Sequence, residues 1–278
     1  MPDQYVLIGE NVSNSPAPLM MNAAFVELGV KAEFHSSNVK DSELGTSFAK
    51  LKESGLRGAN VTMPHKMSII RLLDSLDEVS SKIGAVNTIM REEGKYHGFN
   101  TDVEGIVASL KSKGLSQIRR AAVLGTGGAA RAFCEAIHVL GCTDLLVIYR
   151  SPQNGASFVS SMKEIFPEFA IESSSSNDIP YWEAELFFNA SPAGANGIPL
   201  PGQLDRFLEG GPAVFDAVYF PVETDLIRMA AKHGCQVIYG YDMLLHQALR
   251  SFRIWTDRTP PAQVMARALY DALGVVET

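Results

Sequence analysis

The chain has 278 residues, with 24 Lys and Arg against 31 Asp and Glu, which gives a formal net charge of −7 at pH 7. A hydrophobic content of 46% and a charged content of 20% are typical of a folded protein, and the length predicts two domains of about 150 residues each. The acidic balance argues against a nucleic-acid or anionic-membrane binder, because such a protein needs a broad basic surface, but it allows a local anion pocket.

The first half of the chain alternates short β-rich runs with helical segments, a pattern that predicts an α/β fold. We expect strands at 5–8, 32–36, 58–61 and within 83–90, and helices at 18–28, 42–53 and 102–113. Gly29 and Gly114 follow the first and last of these helices, where glycine commonly ends a helix.

A second alternating series begins at Ala121, so a domain boundary is expected between residues 102 and 120. The predicted strands are 121–124, 145–149, 169–172, 186–189, 214–218 and 236–239, and the predicted helices are 129–140, 156–165, 225–232 and the chain from 242 onward. Residues 173–178 are expected to form a polar loop.

Several sequence signals are missing. The apolar runs, such as residues 145–149, are far shorter than the roughly 18 residues of a membrane span, and residues 1–10 lack the pattern of a secretory signal. Cys134, Cys142 and Cys235 form no CxxC pair, and the histidines show no metal-ligand spacing. We therefore expect a cytoplasmic protein without a metal, with neither nucleic acid nor membrane as partner, that is a monomer or a homodimer.

A glycine-rich loop follows the first strand of the second series. Residues 125–130 fit the pattern GxGxxA and open a helix. Gly125 allows a tight turn, Gly127 lets the backbone approach a pyrophosphate, and Ala130 permits close packing of helix on strand. The helix N-terminus then offers free N–H groups to phosphates. The loop predicts a dinucleotide site, with a purely structural turn as the alternative.

The next strand ends at Tyr149-Arg150-Ser151, where NAD-binding units usually carry an acid for the ribose diol. No Asp or Glu lies between Leu146 and Phe158, whereas the Arg150 guanidinium suits a 2′-phosphate. We therefore expect NADP rather than NAD. The alternative is that Arg150 is a solvated surface side chain.

Three polar clusters interrupt the apolar pattern of the first half: NVTMPHK at 60–66, GAVNT at 84–88 and GFNTD at 98–102. Each lies where a predicted strand ends or a helix begins, which is where α/β proteins place ligand-binding groups. A turn, a strand end or a helix cap explains each cluster taken alone. Their joint occurrence before a glycine loop calls for a common explanation.

Together with LGTGGAARA (124–132), NASPAG (189–194), FDAVYFPVETDL (215–226) and GYDMLLHQA (240–248), these strings resemble the shikimate dehydrogenase family, and they stand in that family's order. The resemblance implies an α/β substrate domain at 1–102 and a Rossmann-type, doubly wound NADP-binding domain at 103–240. It also implies C-terminal helices at 241–278 that pack back on the first domain. The implied activity is the NADP-dependent interconversion of 3-dehydroshikimate and shikimate in aromatic (chorismate) biosynthesis.

The resemblance also implies roles for individual residues. Lys66 and Asp102 match the catalytic pair. The positions that match the substrate pocket are Asn60, Thr62, Lys66, Asn87, Asp102, Tyr219 and Gln247. The positions that match the cofactor site are Gly125, Thr126, Gly127, Gly128 and Ala129 for pyrophosphate, Tyr149, Arg150, Ser151 and Asn154 for the 2′-phosphate, and Glu78, Ala217 and Gly240 nearby.

These residue types suit the chemistry. Oxidation of a secondary alcohol needs a group that takes the hydroxyl proton and returns it during reduction, and Lys66 can do this with Asp102 orienting it. Amides and hydroxyls are the neutral donors and acceptors that ring hydroxyls require. The alternative for Lys66 is a surface lysine at a helix start. A catalytically idle relative is expected to lack this pair, and other two-domain dehydrogenases share only the general layout.

The N-terminal segment departs from the family, whose SxSP motif holds the substrate carboxylate with two serines. Residues 13–16 match it by eye, but spacing favours residues 15–18, which places Ser15 first and Ala17 where the second serine belongs. One lost hydrogen bond to a charged group costs about 1.5–3 kcal/mol unless Ser13 or a backbone N–H replaces it. The freed space makes quinate or a related cyclitol acid the alternative substrate.

The 2′-phosphate loop departs as well, because the family pattern Asn-Arg-Thr with a later Arg is replaced here by Tyr149-Arg150-Ser151 with Asn154. One of two arginines is missing, so we expect a weaker preference for NADP. No acid replaces it, and a switch to NAD is therefore not indicated.

Overall fold

A computed structural model describes residues 1–195 and 197–275. The chain divides into two compact units. Unit 1 comprises Met1–Asp102 together with the chain from Leu245 onward, and unit 2 comprises Val103–Leu244. The second boundary predicted from the sequence, at 240, is the first residue of a helix that continues past Leu244.

Both units are α/β, as predicted, with one sheet in each. The strands are β1 Asp3–Gly9, β2 Ala32–Asn38, β3 Gly58–Val61, β4 Ser75–Leu76, β5 Thr88–Glu92, β6 Lys95–Phe99, β7 Arg120–Leu124, β8 Asp144–Tyr149, β9 Ala170–Ser175, β10 Leu186–Asn189, β11 Ala213–Asp216 and β12 Val237–Ile238. The α-helices are α1 Ala17–Glu27, α2 Leu44–Glu53, α3 Glu78–Ile83, α4 Asp102–Ser112, α5 Gly128–Val139, α6 Pro152–Ile165, α7 Leu204–Leu208, α8 Asp225–Lys232, α9 Gly240–Thr256 and α10 Ala262–Leu273. Short 3-10 helices lie at Asp41–Glu43 and Ser68–Leu72.

The sheet of unit 1 is mixed and has the strand order β2-β1-β3-β5-β6-β4. β1 pairs in parallel with β2 and β3, while β5 runs antiparallel to β3 and β6. A core of apolar side chains, among them Val6, Phe48 and Ile89, is fully buried against it. Burial of this apolar surface fixes which face each strand presents.

The C-terminal helices belong to unit 1, as the resemblance implied. Helix α10 packs on α1, and the Trp255 indole of α9 donates to the Ile89 carbonyl at 2.9 Å. A Cβ at Gly58 would lie 2.7 Å from the Trp255 indole nitrogen, so only glycine admits this close approach of helix to sheet.

The sheet of unit 2 is parallel throughout and has the order β12-β11-β10-β7-β8-β9. Read from β9, this is the order 3-2-1-4-5-6 of a doubly wound dinucleotide fold. Strands β10 and β11 are buried at every position, as expected for a sheet covered on both faces. The order reverses between β7 and β10, and this switch point is where ligands bind in such sheets.

Some elements differ from the sequence prediction. Strand β9 continues to Ser175 where a polar loop from 173 was expected. β9 pairs only with β8 in this sheet and is largely exposed, so its serines need not be apolar. The predicted C-terminal helical stretch is two helices, interrupted at Asp257, which has φ +52°, and followed by prolines. β4, β6, α3 and α7 were not predicted, since they are short or lack clear periodicity.

No helix among residues 1–195 and 197–275 combines the length and apolar character needed to cross a membrane.

Candidate active site

Lys66 and Asp102 form an ion pair in unit 1. Lys66 Nζ donates to Asp102 Oδ2 at 2.5 Å, and the two side chains are 16% and 3% exposed. Lys66 lies beyond the end of β3, where its carbonyl accepts from the Val86 N–H at 2.8 Å, and Asp102 begins α4. The predicted catalytic residues, 36 positions apart in the chain, are therefore in direct contact.

Asn87 holds the second oxygen of that carboxylate. Its Nδ2 donates to Asp102 Oδ1 at 2.8 Å, while its Oδ1 accepts from the Thr101 N–H at 2.7 Å. A carboxylate only accepts and a backbone N–H only donates, so these two partners fix the orientation of the Asn87 amide. Asp102 is consequently bound on both oxygens and points its charge at the lysine.

Asn60 and Gln247 join the same buried network. Asn60 Nδ2 lies 3.2 Å from the Asn87 carbonyl, and Gln247 Oε1 lies 3.3 Å from Asn87 Nδ2. The network is completed by three hydroxyls that sequence analysis did not select, those of Thr88, Thr101 and Ser251. Two signals in the sequence could have pointed to these hydroxyls. Thr88 and Thr101 lie inside the strings GAVNT and GFNTD, and Ser251 follows Gln247 by one helical turn.

Thr62 and the N-terminal segment lie next to one another along the end of β1. The Thr62 N–H donates to the Ile8 carbonyl at 2.9 Å, and a Cβ at Gly9 would clash with the Thr62 methyl at 2.4 Å. Ser15 Oγ accepts from the Ala17 N–H at 3.3 Å just before α1, and Ala17 itself is buried.

Ser13 takes a different position from Ser15, because its Oγ accepts from Asn38 Nδ2 at 2.6 Å. Asn38 Oδ1 in turn accepts from the Val12 N–H at 2.7 Å, so the segment before α1 is tied to the end of β2. The roles predicted for Ser15 and Ala17 toward a carboxylate stay predictions.

In unit 2 the glycine loop has the geometry that a phosphate needs. Gly125 has φ +118°, and a Cβ there would lie 3.1 Å from the Ala190 carbonyl oxygen, so glycine is required for both reasons. Gly127 caps α5 without any side-chain cap, and nothing lies within 4 Å of a Cβ placed there. The first N–H groups of α5 are thus free to hold a pyrophosphate, and the predicted residues Thr126, Gly128 and Ala129 stand in the same turn.

The end of β8 carries the predicted 2′-phosphate residues. Arg150 is exposed, and within the described residues no carboxylate pairs with its guanidinium. Ser151 caps α6 by accepting from the Asn154 N–H at 3.4 Å. A Cβ at Gly155 would lie 2.4 Å from the Tyr149 ring, so the ring rests on the α6 backbone. A free guanidinium beside a helix N-terminus fits a phosphate.

A second buried polar group ties together the strand ends of unit 2. Asp216 Oδ1 accepts from Asn189 Nδ2 at 2.9 Å and from the Val218 N–H at 3.0 Å, and its Oδ2 accepts from the Thr224 hydroxyl at 2.6 Å. Burial raises the pKa of this carboxyl to about 6, against the lowering effect of the three hydrogen bonds. This group was not predicted from the sequence, although its residues lie in the strings NASPAG and FDAVYFPVETDL.

This group fixes the segment after β11 that contains the predicted residues Ala217 and Tyr219. A Cβ at Gly240 would lie 2.6 Å from the Val218 carbonyl, so Gly240 is required by the close approach of α9 to that segment. Glu78 lies in unit 1, exposed in the first turn of α3. The ligand contacts expected of Tyr219 and Glu78 stay predictions.

Two family models and a set of curated relatives match this chain. The family model described as shikimate dehydrogenase substrate binding domain matches residues 7–89, and the one described as shikimate 5'-dehydrogenase C-terminal domain matches residues 240–270. The NADP(+) shikimate dehydrogenase of Moorella thermoacetica is 38% identical in an alignment that covers 96% of this chain and 92% of the relative. The chain belongs to the shikimate dehydrogenase family. The resemblance read from the sequence is thereby confirmed.

Several solved structures are similar to this chain over almost its whole length. A shikimate dehydrogenase in complex with NADP+ is 30% identical and superposes with a TM-score of 0.87 over 99% of this chain and 96% of its own. The Thermus thermophilus enzyme in complex with NADP(H) and shikimate is 30% identical, with a TM-score of 0.81 over 98% and 100%. The quinate dehydrogenase of Corynebacterium glutamicum in complex with NAD is 25% identical, with a TM-score of 0.85 over 97% and 99%.

Proposed function

We propose that this protein is an NADP-dependent shikimate dehydrogenase that reversibly reduces 3-dehydroshikimate to shikimate. The observation that carries the proposal is the partly buried Lys66–Asp102 pair, whose carboxylate also accepts from the Asn87 amide at the strand ends of unit 1. Family membership names the chemistry that this pair serves.

The bound nicotinamide supplies or takes up the hydride. Lys66 Nζ holds the proton that leaves the substrate hydroxyl during oxidation and returns it to the oxygen during reduction. Asp102 accepts from Nζ and so orients it. The surrounding amides offer neutral donors and acceptors to the ring hydroxyls, which keeps the ring in one orientation.

The cofactor residues fit NADP in unit 2. The uncapped N-terminus of α5 takes the pyrophosphate, and Arg150 takes the 2′-phosphate. The absence of an acid at the end of β8 supports NADP over NAD.

The test is an assay of purified protein with shikimate and quinate, each with NADP+ and with NAD+, followed by nicotinamide absorbance. We expect the highest kcat/KM for shikimate with NADP+. A folded protein that reduces neither nicotinamide with shikimate would refute the proposal.

The second candidate is a family member that acts on quinate or a related cyclitol acid, and the observation that favours it is Ala17. This buried position lacks the hydroxyl of the family's second serine. On this hypothesis Ala17→Ser shifts the kcat/KM ratio toward shikimate at the expense of quinate. Equal rates on shikimate in both proteins, with no turnover of quinate, would count against it.

We further expect the enzyme to act in the cytoplasm, in chorismate biosynthesis, as a monomer or a homodimer. Light scattering of the purified protein distinguishes the two oligomeric states.

A further inference from the structure

Three fully buried hydroxyls meet at the centre of the unit 1 network: Thr88 at the start of β5, Thr101 before α4, and Ser251 in α9. We call these three residues the hydroxyl cluster. Thr88 Oγ1 lies 2.8 Å from Ser251 Oγ and 3.2 Å from Thr101 Oγ1, and the remaining pair is 3.1 Å apart. The cluster therefore joins three segments that are distant in the chain.

Two hydroxyls of this cluster have acceptors outside it. Thr88 donates toward Asn87 Oδ1 at 3.1 Å, and Ser251 donates toward the backbone carbonyl of Gln247 at 3.0 Å. Both destinations are carbonyl oxygens, which only accept. Each hydroxyl has one proton, which it donates to one of these carbonyls or to another hydroxyl of the cluster. The lone pairs of its oxygen therefore remain available to accept from a further donor.

That donor is the amide of Asn60. Its Nδ2 lies 3.0 Å from Thr88 Oγ1, 3.1 Å from Ser251 Oγ and 3.2 Å from the Asn87 carbonyl. All three of these oxygens accept from the amide N–H groups, so the Asn60 amide is held with its nitrogen toward the hydroxyl cluster. In the part of the chain that the structure describes, no group donates to Asn60 Oδ1.

We propose that Ser251, together with Thr88, is a positioning residue that holds Asn60 so that its Oδ1 accepts a hydrogen bond from a ring hydroxyl of the substrate. The proposal rests on the proposed function, since it needs a hydroxylated ring at this end of the sheet. Ser251 acts through Asn60 and does not itself contact the substrate.

The test is a double-mutant cycle of Ser251→Ala and Asn60→Ala, with KM for shikimate, KM for NADP+, kcat and thermal stability measured for each variant. The matched control is Ser109→Ala. Ser109 is an equally buried helical serine, and its hydroxyl donates to the carbonyl of Gly105, four residues earlier, at 2.8 Å, as that of Ser251 does to Gln247.

Ser251→Ala is expected to raise KM for shikimate by about threefold to tenfold, the effect of one lost hydrogen bond, and to leave KM for NADP+ unchanged. In the Asn60→Ala background the same substitution should produce no further rise. Ser109→Ala should lower the melting temperature comparably and leave both KM values unchanged. An equal rise of KM in both backgrounds, or the same rise in Ser109→Ala, would overturn the positioning role.

Thr88→Val is a second test of the positioning role, because it removes the hydroxyl that accepts from Asn60 while keeping the side-chain shape. We expect it to raise KM for shikimate in the wild-type background only. A wild-type protein without turnover of shikimate would overturn the proposed function along with this one. Turnover with additive effects in both cycles would overturn the positioning role alone.

Discussion

Both units place polar groups at the ends of their central strands, but the groups differ in kind. In unit 1 the site consists of side chains, with the Lys66–Asp102 pair held by the Asn87 amide. In unit 2 the glycine loop offers backbone N–H groups and the conformation of Gly125. In the proposed mechanism the first site moves a proton, whereas the second binds and orients an anion.

This difference indicates how substitutions should act. Changes in unit 1 should lower the rate of the chemical step or the affinity for the alcohol. Changes at the glycine loop and at Arg150 of unit 2 should act on the cofactor, since neither takes part in proton transfer in the proposed mechanism. The predictions below test that separation.

The largest effect is expected for Lys66→Ala. It removes the group that transfers the proton, so kcat should fall by about 10²–10⁴-fold while KM for shikimate changes little. Steady-state kinetics measure both constants. The exposed Lys50 of α2 supplies the control, because Lys50→Ala should leave kcat unchanged. A kcat near that of the wild type would remove Lys66 from the mechanism.

Gly125→Ala should come next. The φ of +118° and the Ala190 carbonyl at 3.1 Å oppose a Cβ, at a cost of roughly 1–3 kcal/mol, and the distorted loop should raise KM for NADP+ by about tenfold or more. Gly141→Ala is the matched control, since Gly141 also has a positive φ, +85°, but has open space around it. The control should lose stability and keep its KM; a KM increase in both variants would indicate general destabilisation.

Arg150→Ala should raise KM for NADP+ by about tenfold, because it removes the only charge proposed for the 2′-phosphate, and should leave KM for NAD+ unchanged. NAD+ thus serves as the control within the same protein. A parallel change with both cofactors would show that Arg150 does not recognise the 2′-phosphate.

The smallest effect on activity is expected for Asp216→Asn, which should keep kcat within about twofold and change the pH dependence of stability instead. The folded carboxyl has a pKa of about 6 against 3.8 for the ordinary group, so the folded state binds more protons between these values. The free energy of unfolding should therefore fall as pH rises from about 4 to about 6, and this fall should be absent in the variant.

Urea unfolding of both proteins across that pH range measures the difference. Identical pH slopes in wild type and variant would show that Asp216 is not a buried carboxyl of raised pKa.

Much of the fold was accessible from the sequence. The bounds of β3 and β10 were predicted correctly, since both are short segments bounded by clear turn signals. β6 was missed because its alternation is broken by His97 and Gly98, and only pairing with β5 makes it a strand. The end of β9 was missed because pairing with β8, rather than apolar side chains, sets it.

The residues of the candidate site also fall into those that the sequence indicates and those that only the structure brings together. Lys66, Asp102 and the glycine loop could be proposed from the sequence, because family strings and local spacing mark them. Asp216 could not be selected from the sequence, because its buried carboxylate is recognised as a polar centre only by its hydrogen bonds from Asn189 and Thr224, which the fold brings to it.

The sequence by itself determined the α/β class, the family and the residue types that carry the chemistry, since these depend on local pattern and on short motifs. Only the tertiary structure decided how those residues are held. Ser251 reaches Asn60 across 191 positions and Thr88 across 163, through the docking of α9 on the sheet of unit 1. Such contacts follow from strand register and helix packing, which are settled by burial of the whole core rather than by any segment alone.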